Sequence, residues 1–226
     1  MFCLHPLRLV VVFLLLAPAW ARGQAPADSV SASARFIGFR AGYSQYTMTG
    51  THVTLLTGPG GDQVVPVAWA TAGAVARVGL HNALSVQGEL LYVRQGGGFA
   101  GQVFYYGRST YTVDCLQVPL LLDLRLGGTA GPSLHLQGGP AFVAAVRGVQ
   151  VDASSLAAGN RFNNPSTWWA LAYGAELAWA RDRRVYTLTA RWTQDLDDFY
   201  QRDYQGRAYN ARSHGFSLTA GLLFAR

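Results

Sequence analysis

Three aspartates and a histidine near the C-terminus are the residues best spaced for chemistry. Asp195, Asp197 and Asp198 lie in TQDLDDFYQRDY (Thr193–Tyr204), and His214 lies in RSHGFS (Arg212–Ser217). A carboxylate that orients an imidazole, with a hydroxyl in reach, is the minimal kit for general-base or nucleophilic hydrolysis. If the two segments flank one loop, an aspartate and His214 face each other across it. His52, Asp62, Asp152, Ser154, Ser155 and Ser213 are further polar residues of the same kind. No motif fixes a nucleophile among them. The plainer reading is of solvated acidic loop tips, or of tips that meet divalent cations at a charged surface.

A second set of charges is placed differently. Arg40, Glu89, Asp123, Arg125, Glu176 and Arg191 each stand singly in an otherwise apolar run, as in LSVQGELLYVRQGGG (Leu84–Gly98). A buried lone charge is very costly. Three Arg against three acids sum to zero, so these residues are expected to pair with one another. The reading sets Glu89 and Glu176 against Arg40 and Arg191. Other chemical signals are weak. GPGG (Gly58–Gly61) lacks the Lys and the helix of a phosphate loop, and Pro disqualifies Asn-Pro-Ser in NNPS (Asn163–Ser166) as a glycosylation acceptor. Cys115 sits in TVDCLQVPLLL and reads as a small wall residue. No cofactor or metal motif appears.

The elements that carry these charges read as strands. Alternation with period two runs through Arg35–Thr47, Leu84–Gln95, Tyr111–Leu126, Ser133–Val146, Trp168–Ala180, Val185–Leu196 and Ser213–Phe224. Val67–Leu80 is Ala-rich on both faces and gives no clear parity. One face of each segment is bulky and apolar. The other collects Gly38, Gly42, Ala170, Ala172, Gly174 and the six charges. Connections alternate strictly in length. Met48–Pro66, Gly96–Thr110, Arg147–Ser166 and Asp197–Arg212 are long and polar, whereas His81–Ala83, Gly127–Pro132 and Arg181–Arg184 are short.

Only 13% of the 226 residues are charged, against roughly 25% in ordinary soluble chains. A soluble sheet would need a charged outer face, and the small-residue parity makes a poor one. The opposite arrangement fits: apolar side chains outward into lipid, small and polar ones into a narrow closed interior. A sheet in a bilayer must close to pair its backbone. Arg8, the apolar run Leu9–Ala17 and Ala19-Trp20-Ala21 read as an N-terminal signal peptide, residues 1–21. The sequence thus predicts an all-β chain. After the signal peptide come a periplasmic linker (22–34) and an eight-stranded antiparallel transmembrane β-barrel (35–226).

The formal charge is +6, carried entirely by Arg, and loss of Arg8 with the signal leaves +5. The Arg residues are scattered, which excludes a nucleic-acid face. Those in and beside the long connections (Arg108, Arg147, Arg161, Arg202, Arg207 and Arg212) suit bidentate pairing with lipid phosphates, or simple solvation.

GFRAGYSQYT (Gly38–Thr47), LSVQGELLYVRQGG (Leu84–Gly97), LQVPLLLDLRL (Leu116–Leu126), LHLQGGPAFVAAV (Leu134–Val146) and GFSLTAGLLF (Gly215–Phe224) occur in that order. Together they resemble the PorT-like outer-membrane β-barrel family of Bacteroidetes. The resemblance implies a Gram-negative outer-membrane barrel without a shared active site, and a secretion role by analogy only. Phe224 is followed by Ala225 and Arg226, whereas such barrels usually end on the aromatic residue.

The expected protein is a monomeric, non-enzymatic barrel with a structural, interaction or secretion-support role. Its long loops lie outside and both termini are periplasmic. Its partners are outer-membrane lipid and lipopolysaccharide, the barrel-insertion machinery and a secretion-system protein. Two alternatives stay open: a barrel enzyme acting on lipid A or surface peptides, and a soluble periplasmic ligand-binding barrel. An open pore is not expected, because eight strands leave an interior that side chains fill.

Overall fold

The computed structural model describes residues 35–56, 63–100, 108–127, 131–152, 167–198, 200–204 and 207–226. The signal peptide, the linker, Gly58–Gly61, Arg161 and Asn163–Ser166 lie outside them. Among the described residues nine strands follow in chain order. They are β1 (Arg35–Thr49), β2 (Gln63–His81), β3 (Leu84–Ala100), β4 (Arg108–Leu126), β5 (Pro132–Asp152), β6 (Thr167–Arg181), β7 (Arg184–Asp195), β8 (Tyr200–Tyr204) and β9 (Arg207–Ala225). A short helix, α1 (Thr51–Leu56), follows β1.

Eight of the strands form the barrel. Each pairs antiparallel with its neighbour, and β1 closes on β9 from Phe36↔Ala225 to Thr49↔Arg212. The ninth, β8, pairs with the outer part of β9, from Tyr200↔Ala211 to Tyr204↔Arg207. The turns Asn82–Ala83 and Asp182–Arg183 have two residues each. Asp182 takes the left-handed conformation (φ 56°), which a short polar side chain tolerates. Both described ends of the chain lie at this turn end of the barrel.

Exposure runs opposite to that of a soluble barrel. Every barrel strand turns large apolar side chains outward: Phe39, Leu80, Leu90, Leu120, Leu136, Leu171, Leu188 and Leu218 are all well exposed. Leu120 is 57% exposed while its neighbour Leu121, on the inner parity, is fully buried. Aromatic residues lie toward strand ends on the outer face, with Phe142 edge-on to Trp169 and Trp179 stacked on Tyr186. A continuous apolar belt of this size calls for lipid.

At the opposite end the strands run far into the segments read as loops. Val65 pairs with Gly98 and Thr110 with Val151. Past the apolar slab, both faces of a strand meet water, so the period-two pattern fades although the backbone ladder continues. The helix α1 is tied to β9, where Thr51 N and Oγ1 both donate to Asn210 Oδ1 at 3.1 and 2.7 Å.

The closed interior is narrow. On β1 a Cβ at Gly38 or Gly42 would run into the β9 backbone at Leu222 and Leu218. These two glycines flank Arg40 on the inner face and let β1 and β9 approach closely.

Candidate functional site: the barrel interior

The interior has two layers. Toward the turn end lie charges, one strand contributing each. Arg191 on β7 grips Glu89 on β3, its Nη1 donating to Oε2 at 2.7 Å and its Nη2 to Oε1 at 2.8 Å. Arg40 on β1 lies 3.2 Å from Glu89 and donates to Glu176 Oε2, on β6, at 3.1 Å. Arg77 on β2 pairs with Glu176 and lies 3.2 Å from Asp123 on β4. All three carboxyl side chains are buried to the limit. Neutral groups complete the set: Arg77 Nε donates to Gln87 Oε1 at 2.7 Å, Thr189 to Glu176 at 2.9 Å, and Arg191 to Gln137 at 3.0 Å. Three cations and three anions held by hydrogen bonds satisfy the condition for burying charge in a low-dielectric space.

Above this layer an apolar cluster fills much of the bore, with Gln95, Gln117, Thr193 and Asp195 buried beside it. Leu91, Val93, Val113, Cys115, Leu121, Val143 and Trp168 pack with Ala141, Ala170 and Ala172, and Met48 of β1 and Val53 of α1 join them. The sequence reading expected small or polar residues in the interior. Large aliphatic side chains enter it because filling the bore with close-packed groups removes voids that water or lipid cannot fill well.

Of the residues singled out from sequence, Arg40, Glu89, Asp123, Glu176 and Arg191 come together in the network. Arg125 stands elsewhere: half-buried on the inner parity of β4, it lines a cavity at the turn end. The third cation is Arg77 instead. Its strand alternates Ala70, Ala72, Ala74 and Ala76 outside with Thr71, Gly73 and Val75 inside, a contrast too small to reveal its parity. An Arg amid such residues was the available signal.

The proposed pairing of an aspartate with His214 is not made. Asp195 points inward, where its Oδ2 accepts from Ser213 N at 3.0 Å. Gln194, not Asp195, is opposite His214 in the β7–β9 ladder. His214 therefore projects to the outer face and packs on Trp192, with ring centroids 5.5 Å apart. Adjacent positions on paired strands face opposite sides, so this pair cannot act together. Asp197 accepts from Trp169 N at 2.9 Å, and Asp198 accepts from Arg212 Nε at 2.7 Å and Asn210 Nδ2 at 3.0 Å. These acids hold the rim together.

Asp123, His135 and Glu176 bring one donor atom each within 4.8 Å of one another. That spacing suits a divalent ion in principle, but the Arg77 guanidinium pairs with both carboxylates and supplies the positive charge there.

A family model described as "Outer membrane protein beta-barrel domain" matches residues 24–201. The chain belongs to that family. Two solved structures share the fold of this outer-membrane barrel. OprG from Pseudomonas aeruginosa superposes with a TM-score of 0.55 at 10% identity, covering 86% of this chain and 96% of its own. AlkL, solved in DMPC lipid bilayers, gives 0.55 at 14% identity, covering 90% and 96%. Identities this low speak to the fold alone. No curated protein matches the barrel's sequence.

Proposed function

We propose that this outer-membrane barrel is a sealed, non-conducting and monomeric structural platform. Its long-strand end stands outside the cell and serves as an interaction surface, with the turns and both termini in the periplasm. The observation that carries this reading is the filled interior. The charge layer around Arg191 and Glu89 and the apolar layer around Leu121, Val143 and Trp168 block the bore in series. A hydrated path for solutes would have to break several buried ion pairs at once.

The extended strands β2 to β5, the paired β8 and β9, and α1 build a collar at the far end. Arg94 on β3 strengthens it, pairing with Asp114 at 2.5 Å and lying 3.9 Å over the Trp69 ring. A collar that stands clear of the apolar belt suits contacts with lipopolysaccharide or with a surface protein. Among the described rim residues, Asp195 and His214 face apart and do not form a base–nucleophile pair. A PorT-like secretion-support role and a Bacteroidetes-type origin belong to this same reading, on the sequence segments quoted above.

In a strain lacking the protein, uptake of small hydrophilic solutes should stay at the parental level, while the amount of surface-exposed secreted protein falls. Reduced solute uptake with unchanged surface protein would overturn the reading. Cysteine scanning fixes the orientation. An Asp197→Cys barrel should react with a membrane-impermeant maleimide on intact cells, and an Asp182→Cys barrel only after the outer membrane is opened.

A further inference from the structure

The turn end of the interior holds an arrangement that the sealed-platform reading does not use. Ser133 and His135 are two residues apart on β5 and both face inward. Ser133 Oγ lies 2.9 Å from His135 Nε2. His135 Nδ1 lies 2.7 Å from Asp123 Oδ1 on the neighbouring strand β4. Asp123 in turn is held by Arg77 at 3.2 Å and by Gln137 Nε2 at 3.4 Å. A carboxylate on one imidazole nitrogen and a hydroxyl on the other is the order of groups that activates a serine, and it is recognised by geometry rather than by fold.

Space for a reactant adjoins it. Ser133 and His135 line a cavity of about 100 Å³ together with Phe36, Ser85, Arg77 and Arg125. The Asn82–Ala83 turn also borders the cavity, which places its mouth at the turn end. Beyond it the charge layer closes the bore, so the cavity is a blind pocket. Its size admits a short acyl group.

We propose that Ser133, His135 and Asp123 form a nucleophilic relay that hydrolyses small acyl esters entering from the turn end. The activity is separate from the platform role. With Nδ1–H donated to Asp123, the Nε2 lone pair of His135 faces Ser133. Ser133 Oγ bonds to the acyl carbon and passes its proton to Nε2. The acyl–oxygen bond of the ester breaks, and His135 returns that proton to the leaving alcohol. Water then attacks the acyl-serine, His135 takes and returns a proton again, and the carboxylic acid leaves with Ser133 restored. Asp123 acts through His135 as a positioning residue. The Ser133 hydroxyl has one competing acceptor, Ala178 O at 3.4 Å, a longer contact than the one to His135.

The test is covalent labelling of the folded full chain in detergent micelles with a fluorophosphonate, followed by peptide mapping, and turnover of p-nitrophenyl acetate. Wild-type barrel should carry the adduct on Ser133. Ser133→Ala and His135→Gln should each lose it, and ester turnover should fall about 10²-fold or more. Both variants are to be scored only on barrels that still show the folded, heat-modifiable band. Asp123→Asn should slow the labelling rate per folded barrel, which a purely structural Asp123 would leave unchanged. Folded wild-type protein that takes no label on Ser133, or turnover equal to that of Ser133→Ala, would overturn the proposal.

Discussion

Arg191 and Glu89, 102 residues apart in sequence, meet inside the barrel through two hydrogen bonds of 2.7 and 2.8 Å. They belong to β7 and β3, strands that are not neighbours in the sheet. The pair therefore ties opposite walls of the cylinder across its bore, a link that the backbone ladder does not supply. Removing one partner strands the other charge in a desolvated space. Arg191→Ala should destabilise the barrel by about 3–5 kcal/mol, read as a lower midpoint in urea titration of the heat-modifiable band. Arg191→Met combined with Glu89→Gln should cost less than the sum of the single changes, because contacting residues couple.

Arg77 makes the same argument on the other side. It is the cation that both Asp123 and Glu176 share. Arg77→Met should destabilise the barrel by about as much as Arg191→Ala. Arg125→Met, at the half-buried mouth, should cost less. Urea midpoints of the two variants, measured side by side, check the order.

The outward face is tested by charge. Leu120 is 57% exposed on the outer face, a position where a soluble protein would accept Arg freely. In lipid, Leu120→Arg should cost about 2–4 kcal/mol, and Gln194→Arg near the strand end no more than about 1 kcal/mol. Equal, negligible costs in reconstituted vesicles would argue that the belt does not lie in a bilayer.

The rim pair of Arg212 and Asp198 is of another kind. Arg212 has half its side chain in solvent, so Arg212→Ala should change stability by under about 1 kcal/mol, and the change should shrink as salt rises. Comparing urea midpoints at low and high salt measures it.

Cys115 is fully buried in the apolar layer. It should resist maleimide in the folded barrel and react completely once boiling in detergent opens the wall. Rapid labelling of the folded band would mean that the upper bore admits solvent.

Much of this architecture can be read in the chain because lipid imposes a simple rule. An apolar residue at every second position marks the outer face, and Leu116, Val118, Leu120, Leu122 and Leu124 show β4 without ambiguity. The same rule fails where side-chain contrast is low. On β2, alanines outside and small residues inside hid the parity, and Arg77 went unassigned with it. It also fails beyond the bilayer, where β3 continues through Gly96–Ala100 and β8 forms within a segment expected to be loop. Ladder pairing there rests on the backbone, which leaves no periodic mark.

The relation of Asp195 to His214 shows a different limit. Proximity across a hairpin was legible, but a register offset of one residue sends the two side chains to opposite faces. The Ser133–His135–Asp123 contact is similar. Asp123 was singled out from the sequence and Ser133 and His135 were not; the β4–β5 register, in which Asp123 is opposite Gln137 and Arg125 opposite His135, brings the three together.

The filled bore is the centre of this account, and its most direct test is single-channel recording of the purified barrel in planar bilayers. The account predicts insertion with a baseline indistinguishable from protein-free membrane, and conductance steps only after the network is broken by Arg191→Ala with Glu89→Ala. Stable, well-defined conductance steps from the wild-type barrel would contradict it.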